Sequence, residues 1–582
     1  MKRIFSILTV LVCSMLLQAR TLYLKPSLWD TDGAKFAIYY FEGNQNGWSE
    51  YLTSVENGVY SGTVPDEYNT VIFCRMNPNG TKDWSGKWNQ TSDMTIESGK
   101  DMCVISDWNE GYWAKYGEEP GGDDPVTPSD FTSAVPSECT DVMLQAFYWN
   151  SYTDNTYGTS KWTVLQSQAS EISSYFQLVW LAPSCKAKDN MGYLPSQYSA
   201  QSCKMGTPDD LRKLIVALHG GGTRVIADVV INHAGNKSNW TNFFDQDFGS
   251  YGKFSPNNTW ITSNDEAKNN GYQTGSNADD GQESNANYPD ARDWDHKNAD
   301  VQAMCRAYLK FLKGEVGYDG YRFDYCGGYH VSHINDYVSN AKPYFSVMEY
   351  WNGDASVLKR RIDDANKNTL TFDFASFYTC YQQGIASNNY GKLIRPGLRG
   401  QGYAKYAVNF VDNHDTFNRS DIGNSDCGNS KDGKSSLNNR DLILQCNAYL
   451  LSMPGVPCVF WPHWYKYKSE IKAMITARRM AGVHSESSID EQSGGGWYKA
   501  TVHGKYGNVI LYLGSAASEA APSGYTQAIK ESKVAMYYTG NGPQGIETVN
   551  GERVSGEKFL KDGQLYIRCG EQVFDVQGRE VH

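Results

Sequence analysis

The chain has no long stretch rich in lysine and arginine, and its formal net charge is −12. Nucleic-acid binders need basic patches to neutralise phosphate, so both features speak against that class. Apolar runs long enough for a bilayer are missing beyond the first twenty residues, so no transmembrane segment is expected in the mature protein. None of the 13 cysteines forms a Cys-x-x-Cys pair, which argues against a zinc cage or a redox motif of that kind. Disulfide pairing stays open, but a chain with this much core does not need it. Cys185, Cys326, Cys446 and Cys458 sit in apolar contexts that suit free buried thiols. Charged residues make up only 20% of the chain. There is no internal repeat, and no low-complexity tract outside one linker.

Aromatic residues are plentiful instead, with 16 Trp and 40 Tyr. Most must be core and strand residues. In a polar chain the excess favours carbohydrate over lipid as a partner, because flat rings stack on sugar faces.

The 582 residues are too many for one ordinary domain. Lys2 and Arg3 precede an apolar run from Ile4 to Leu17 and then Ala19, the outline of a signal peptide over 1–19. Export to the cell surface or medium follows as an expectation. Residues 20–116 show short strand-like runs such as KFAIYYF and TVIFCRM between Asn-Gly turns, which predicts a β-sandwich. Over 117–130, GEEPGGDDPVTPSD has the composition of a linker.

From 131 to 482 apolar strands alternate with amphipathic helices. Eight strands are predicted, at VMLQAFYW, QLVWLAP, RVIADVVIN, DGYRFDY, YFSVMEY, TLTFDF, YAVNFVDN and PCVFW. Thr207, with Asp210 three residues on, predicts a capped helix over PDDLRKLIVALHG. Val301, Met304, Tyr308, Phe311 and Leu312 form the stripe of another. This α/β rhythm predicts a (β/α)8 TIM barrel whose chemistry sits at the strand C-terminal ends. Residues 234–298, rich in Asn, Asp, Gly and Trp, break the rhythm as a loop-built insertion after the third strand. A C-terminal β domain is predicted over 483–543, and an appended β unit over 544–582.

In a strand, alternation would put Arg322 and Asp324 of GYRFDY on one face. A structural ion pair near a strand end accounts for them equally well, and a buried pair adds little net stability. Position on the barrel decides the matter. Asp324 ends the fourth predicted strand, Glu349 the fifth and Asp415 the seventh. Asp228, Asn232 and His233 cluster at the end of the third, and His414 precedes Asp415.

In that order, ADVVINH, GYRFDY, VMEYW and FVDNHD resemble the four conserved regions of glycoside hydrolase family 13, the α-amylase family, nearest to its plant-type members. The similarity runs from about Leu144 to Gly540 and takes in VWLAPS, MGYLPSQY and YLLSMPGVPCVFW. It implies an exported, endo-acting, retaining α-amylase acting on starch and maltooligosaccharides. Asp324 would be the nucleophile, Glu349 the general acid and base, and Asp415 the third carboxylate. By the same resemblance Arg322 orients Asp324, His233 and His414 contact sugar hydroxyls, and Tyr193 gives a stacking face. A structural Ca2+ is implied, with Asn232, Asp293, Asp280 and a carbonyl near Gly328 as ligands. Where the family usually carries Lys or Arg, three residues after the nucleophile, this chain has Gly327, so Tyr329 and Trp351 become candidates for the leaving-group side. The N-terminal unit resembles starch-binding modules of families 25 and 26, with Tyr39, Trp48, Trp84 and Trp88 as candidate sugar contacts. The tail weakly resembles sorting segments of exported bacterial proteins. A same-family cyclodextrin or pullulan hydrolase, a glucanotransferase and a non-catalytic starch-capture protein remain alternatives. The chain is expected to be a monomer.

Overall fold

A computed structural model describes residues 19–26, 29–55, 58–96, 99–107, 110–116, 133–282, 290–417 and 439–542, and the backbone of three strands between 557 and 575. Residues 1–18 of the expected leader and the whole expected linker lie outside the described residues. The chain divides into two compact units, Met1–Asp123 and Asp124–His582.

In the first unit two sheets face each other. One orders the strands Glu110–Ala114, Met102–Asp107, Ala19–Lys25, Tyr60–Pro65 and Thr53–Ser54; the other orders Gln45–Trp48, Lys35–Glu42, Thr70–Met76 and Lys87–Gln90, with Met94–Thr95 beside Thr70–Met76. Leu22, Leu24, Val64 and Ile105 from one sheet meet Phe36, Ile38, Val71 and Phe73 from the other in a single core. The unit is a β-sandwich.

The second unit is built on a closed eight-stranded barrel. Its strands are Met143–Gln145 (β1), Leu178–Trp180 (β2), Arg224–Val229 (β3), Gly320–Phe323 (β4), Phe345–Met348 (β5), Leu370–Phe372 (β6), Ala407–Phe410 (β7) and Val456–Phe460 (β8). Neighbours pair in parallel all the way round, β8 closing on β1. Nearly every strand residue is buried, because helices cover the outside and side chains fill the inside. All eight strands read from the sequence are present.

Helix α1 (Pro208–Gly220) starts on the expected capping box. Thr207 Oγ1 accepts from Asp210 N, and Asp210 accepts from Thr207 N. Helix α2 (Ala299–Phe311) buries Val301, Met304 and Tyr308 as its stripe requires, while Phe311 is partly buried. The insertion is tied to the barrel by a short antiparallel pair in which His233 lies opposite Asp293. Among its described residues it contains one four-residue helix, Glu266–Asn269, and two single-turn 3-10 segments.

A five-stranded antiparallel sheet follows, in the order Ser488–Gly494, Trp497–His503, Asn508–Gly514, Val534–Tyr538, Thr526–Lys530. Arg399 of the barrel domain holds Glu491 of this sheet at 2.7 Å. Glu557–Lys561, Gln564–Cys569 and Gln572–Asp575 form a three-stranded antiparallel meander. Cys185, Cys326 and Cys458 are free thiols, and these three and Cys446 are buried. No helix among the described residues is long and apolar enough to cross a membrane.

Candidate active site

Side chains that point into a parallel barrel meet at the register its ladder sets. Asp228 on β3 lies opposite Arg322 on β4, and both are buried. Arg322 Nη1 donates to Asp228 Oδ1 and to Asp324 Oδ1, each at 2.7 Å. Its Nη2 lies 2.6 Å from Glu349 Oε1, off the line that a hydrogen bond needs. One guanidinium therefore serves three carboxylates. Its Cζ lies 5.0 Å from the centre of the Trp180 ring.

The three carboxylates are not satisfied equally. Asp228 also accepts from Trp180 Nε1 at 3.1 Å and from the Tyr193 hydroxyl at 2.9 Å. Asp324 has the charged hydrogen bond from Arg322. Glu349 Oε2 accepts a neutral one, from the backbone N–H of Tyr325 at 3.1 Å. Burial raises the pKa of both Glu349 and Asp324, with Arg322 opposing and Asp415 adding to the rise. With three acids around one cation, a proton settles where the anion is least supported. That group is Glu349.

Asp415 ends the segment after β7, on a turn capped by Asn413, whose Oδ1 accepts from Asp415 N and Thr416 N, both at 2.8 Å. Gln145 Nε2, at the end of β1, lies 3.0 Å from His414 Nδ1. An amide nitrogen can only donate, so the proton of His414 sits on Nε2, which faces Asp415 Oδ2 at 3.4 Å. Tyr193 lies nearly parallel to His414, at 5.0 Å and 5°, and to Trp149, at 6.0 Å and 9°. His233 is held through Nε2 by the carbonyl of Tyr193 at 2.9 Å and through Nδ1 by Asn232 at 3.1 Å. Burial lowers its pKa, which favours the neutral ring.

Trp149, Tyr193, His233, Asp324, Tyr325, Glu349, Trp351, His414 and Asp415 line one cleft of about 460 Å³. The sequence-derived set is thus brought together, with one correction. Tyr329 is buried, with its ring stacked 4.3 Å from His296 and its hydroxyl against Cys326. The Gly327-Gly328 turn carries it behind the rim, so it does not reach the cleft. Tyr325 faces the cleft in its place. Sequence reasoning missed both Tyr325 and Trp149, although each lies just past the C-terminal end of a barrel strand, where such residues are to be sought.

Of the residues matched to calcium, Asn232, Asp293 and Gly328 lie together. A Cβ on Gly328 would lie 2.1 Å from Asn232 Oδ1, and one on Gly281 would lie 2.8 Å from both Asp279 Oδ1 and the Gly327 carbonyl. Asn232 Nδ2 is 3.4 Å from Asp293 Oδ1. Burial raises the pKa of Asp293 to about 7, with further rises from Asp265, Glu266 and Asp279. Hard oxygens crowded into one partly buried acidic patch fit a divalent cation. Asp280, by contrast, is occupied by the backbone N–H of His330 at 3.0 Å and by His333 at 2.9 Å. Its neighbour Asp279 faces the group.

On the sandwich, Tyr39, Trp48 and Trp84 form one cluster with ring centroids 4.7 to 5.1 Å apart. Tyr39 and Trp48 pack on Ala37, Ile72 and Cys74, away from the main core. Trp84 is 43% exposed. Trp88 lies instead over the Arg75 guanidinium, at 4.7 Å.

Residues 175–365 match the α-amylase catalytic domain family. "Alpha-amylase 3, chloroplastic" of Arabidopsis thaliana is 28% identical over 371 residues, 60% of this chain and 39% of that protein. "Glucan 1,4-alpha-maltotetraohydrolase" of Stutzerimonas stutzeri is 27% identical over 442 residues, 70% of this chain and 75% of the relative. A solved α-amylase from Geobacillus thermoleovorans, complexed with acarbose, aligns over 69% of this chain and 98% of its own, at 14% identity and a TM-score of 0.48. The matched stretch takes in β2 to β5 of the barrel, and the relatives support a glycoside hydrolase.

Proposed function

We propose that the protein is an exported α-amylase that hydrolyses internal α-1,4 bonds of starch and maltooligosaccharides with retention of configuration. The observation that carries this reading is Arg322, whose Nη1 bonds Asp324 and whose Nη2 lies against Glu349, in a cleft that Asp415 also lines. Two carboxylates on one guanidinium suit the short separation of a retaining pair, about 5 to 5.5 Å, better than the wider gap that admits a water between them.

In the first step Glu349 gives its proton to the glycosidic oxygen while Asp324 attacks the anomeric carbon. The bond to the leaving sugar breaks and a glycosyl ester forms. In the second, Glu349 takes a proton from water, whose oxygen displaces Asp324. The nearly parallel Trp149, Tyr193 and His414 rings supply a flat face for the sugar being cleaved. His414 Nε2 and Asp415 are directed at its hydroxyls.

A Ca2+ ion would be held by Asn232, Asp293, the Gly328 carbonyl and Asp279, and would fasten the insertion to the third and fourth strands. Its role is structural. The sandwich would serve as a starch-binding module through Tyr39, Trp48 and Trp84.

The deciding assay measures reducing ends released from soluble starch by the wild type and by Asp324→Asn. Release by the wild type and near-silence from the variant support the reading. A wild type that binds starch and releases nothing leaves the starch-capture alternative standing.

A further inference from the structure

We infer that Tyr325 is the sugar platform of the leaving-group side, and that with Trp351 it forms an acceptor subsite made of rings in place of the absent cation. This rests on the hydrolase reading above. Tyr325 has φ +45°, a backbone region in which residues with a Cβ are uncommon and glycine or asparagine is favoured. Two bonds to Glu349 hold it there. Tyr325 N–H donates to Oε2 at 3.1 Å, and Cys326 N–H donates to the Glu349 carbonyl at 2.9 Å. The chain therefore turns sharply after β4 to clasp the acid, and that turn lifts the Tyr325 ring out of the barrel. The ring lines the cleft and is 37% exposed, whereas Tyr321 and Phe323 of the same segment are fully buried. A strained position that glycine would fill more easily holds a large aromatic side chain, which implies that the ring has work to do.

Direction follows from the chemistry. Glu349 protonates the oxygen that departs with the leaving sugar, so whatever flanks Glu349 opposite Tyr193, His414 and Asp415 meets that sugar. Among the residues lining the cleft, Tyr325 is bound to Glu349 through its N–H and Trp351 lies two residues past it in the chain. Trp351 is fixed, its Nε1 donating to Tyr378 OH at 2.6 Å and its ring lying on Phe374 at 4.5 Å. Gly327 has no side chain where the resemblance implies a cation, and the described residues that line the cleft include no Lys or Arg. Stacking on the apolar face of a pyranose then replaces charged hydrogen bonding.

The test compares two substrates that differ in what departs. Maltoheptaose leaves as a sugar, and α-maltosyl fluoride leaves as fluoride and needs no acceptor subsite. For Tyr325→Ala, kcat/KM on maltoheptaose relative to the fluoride should fall about tenfold, as loss of one stacked ring implies. Tyr325→Phe should hold the ratio within about twofold, since the ring remains. An unchanged ratio in Tyr325→Ala, or equal loss on both substrates, overturns the platform. A wild type inert on both substrates overturns the hydrolase reading instead.

Discussion

Asp228, Asp324 and Glu349 draw on one cation, and their unequal hydrogen bonding assigns the roles. Asp324→Asn should fold and bind starch but lose at least about a thousandfold in kcat, since an amide cannot form the ester. Glu349→Gln should cost about 10²–10⁴ in kcat on starch and much less in the glycosylation of substrates with good leaving groups, which need little protonation. Rapid-quench kinetics on an aryl maltoside and on starch separate the two cases; equal loss on both would remove Glu349 from the acid role. Asp415 raises the pKa of Glu349 as a like charge. Its removal makes loss of the Glu349 proton easier. The alkaline limb of the kcat/KM profile should therefore move to lower pH in Asp415→Asn, a shift readable on the residual activity. A limb that stays in place or moves upward would mean that another group controls it.

The turns at the ends of the barrel strands decide what each side chain can do. After β4, the Gly327-Gly328 pair lets the chain pass against Asn232, and a Cβ at Gly328 would lie 2.1 Å from Asn232 Oδ1. Gly328→Ala should therefore lower Tm and abolish its response to Ca2+ and chelator, while the wild type loses Tm on chelation and regains it with added Ca2+. Thr207→Ala supplies the contrast. It removes the capping box of α1 and should cost about 1 kcal/mol while leaving the Ca2+ response intact. Thermal melts with and without chelator distinguish the two, and a wild type indifferent to both additions would refute the metal group.

The same turns explain what could be read from the sequence. The eight strands were legible because VIADVV, FSVM and VPCVF are buried apolar runs of strand length, and α1 because its cap and stripe are local. The order of the insertion was not legible. It comes from side chain to backbone bonds such as Asp265 to Ala267 N and Asn257 to Thr259 N, which leave no periodicity. The carboxylates were legible because strand ends locate them. Tyr325 was not, because its exposure depends on a positive φ that bonds to Glu349 stabilise, 24 residues away. Tyr329 was misplaced for the matching reason: the glycine turn between the two tyrosines reverses which one meets the cleft.

The sandwich is a compact unit with its own core, distinct from that of the barrel, so its contribution is separable by experiment. Tyr39, Trp48 and Trp84 are tilted 59° to 63° to one another, an arrangement that suits a curved glucan chain more than one flat sugar. If this cluster holds starch, tethering raises the local concentration of substrate at the cleft without altering the chemistry there. Removal of residues 20–116 should leave kcat/KM on soluble maltooligosaccharides within about twofold, while activity on raw granules falls roughly in proportion to lost binding. Tyr39→Ala with Trp84→Ala should reproduce that selective loss, because both rings lie outside the main core between the sheets and their removal should not unfold it. Trp88→Ala should have a smaller effect, since its ring lies over Arg75 and outside the cluster. Granule pull-down and soluble-substrate kinetics on the same four proteins decide the matter. Undiminished granule binding by the truncated protein would return the three rings to plain surface packing and move raw-starch capture to the barrel or the C-terminal sheet.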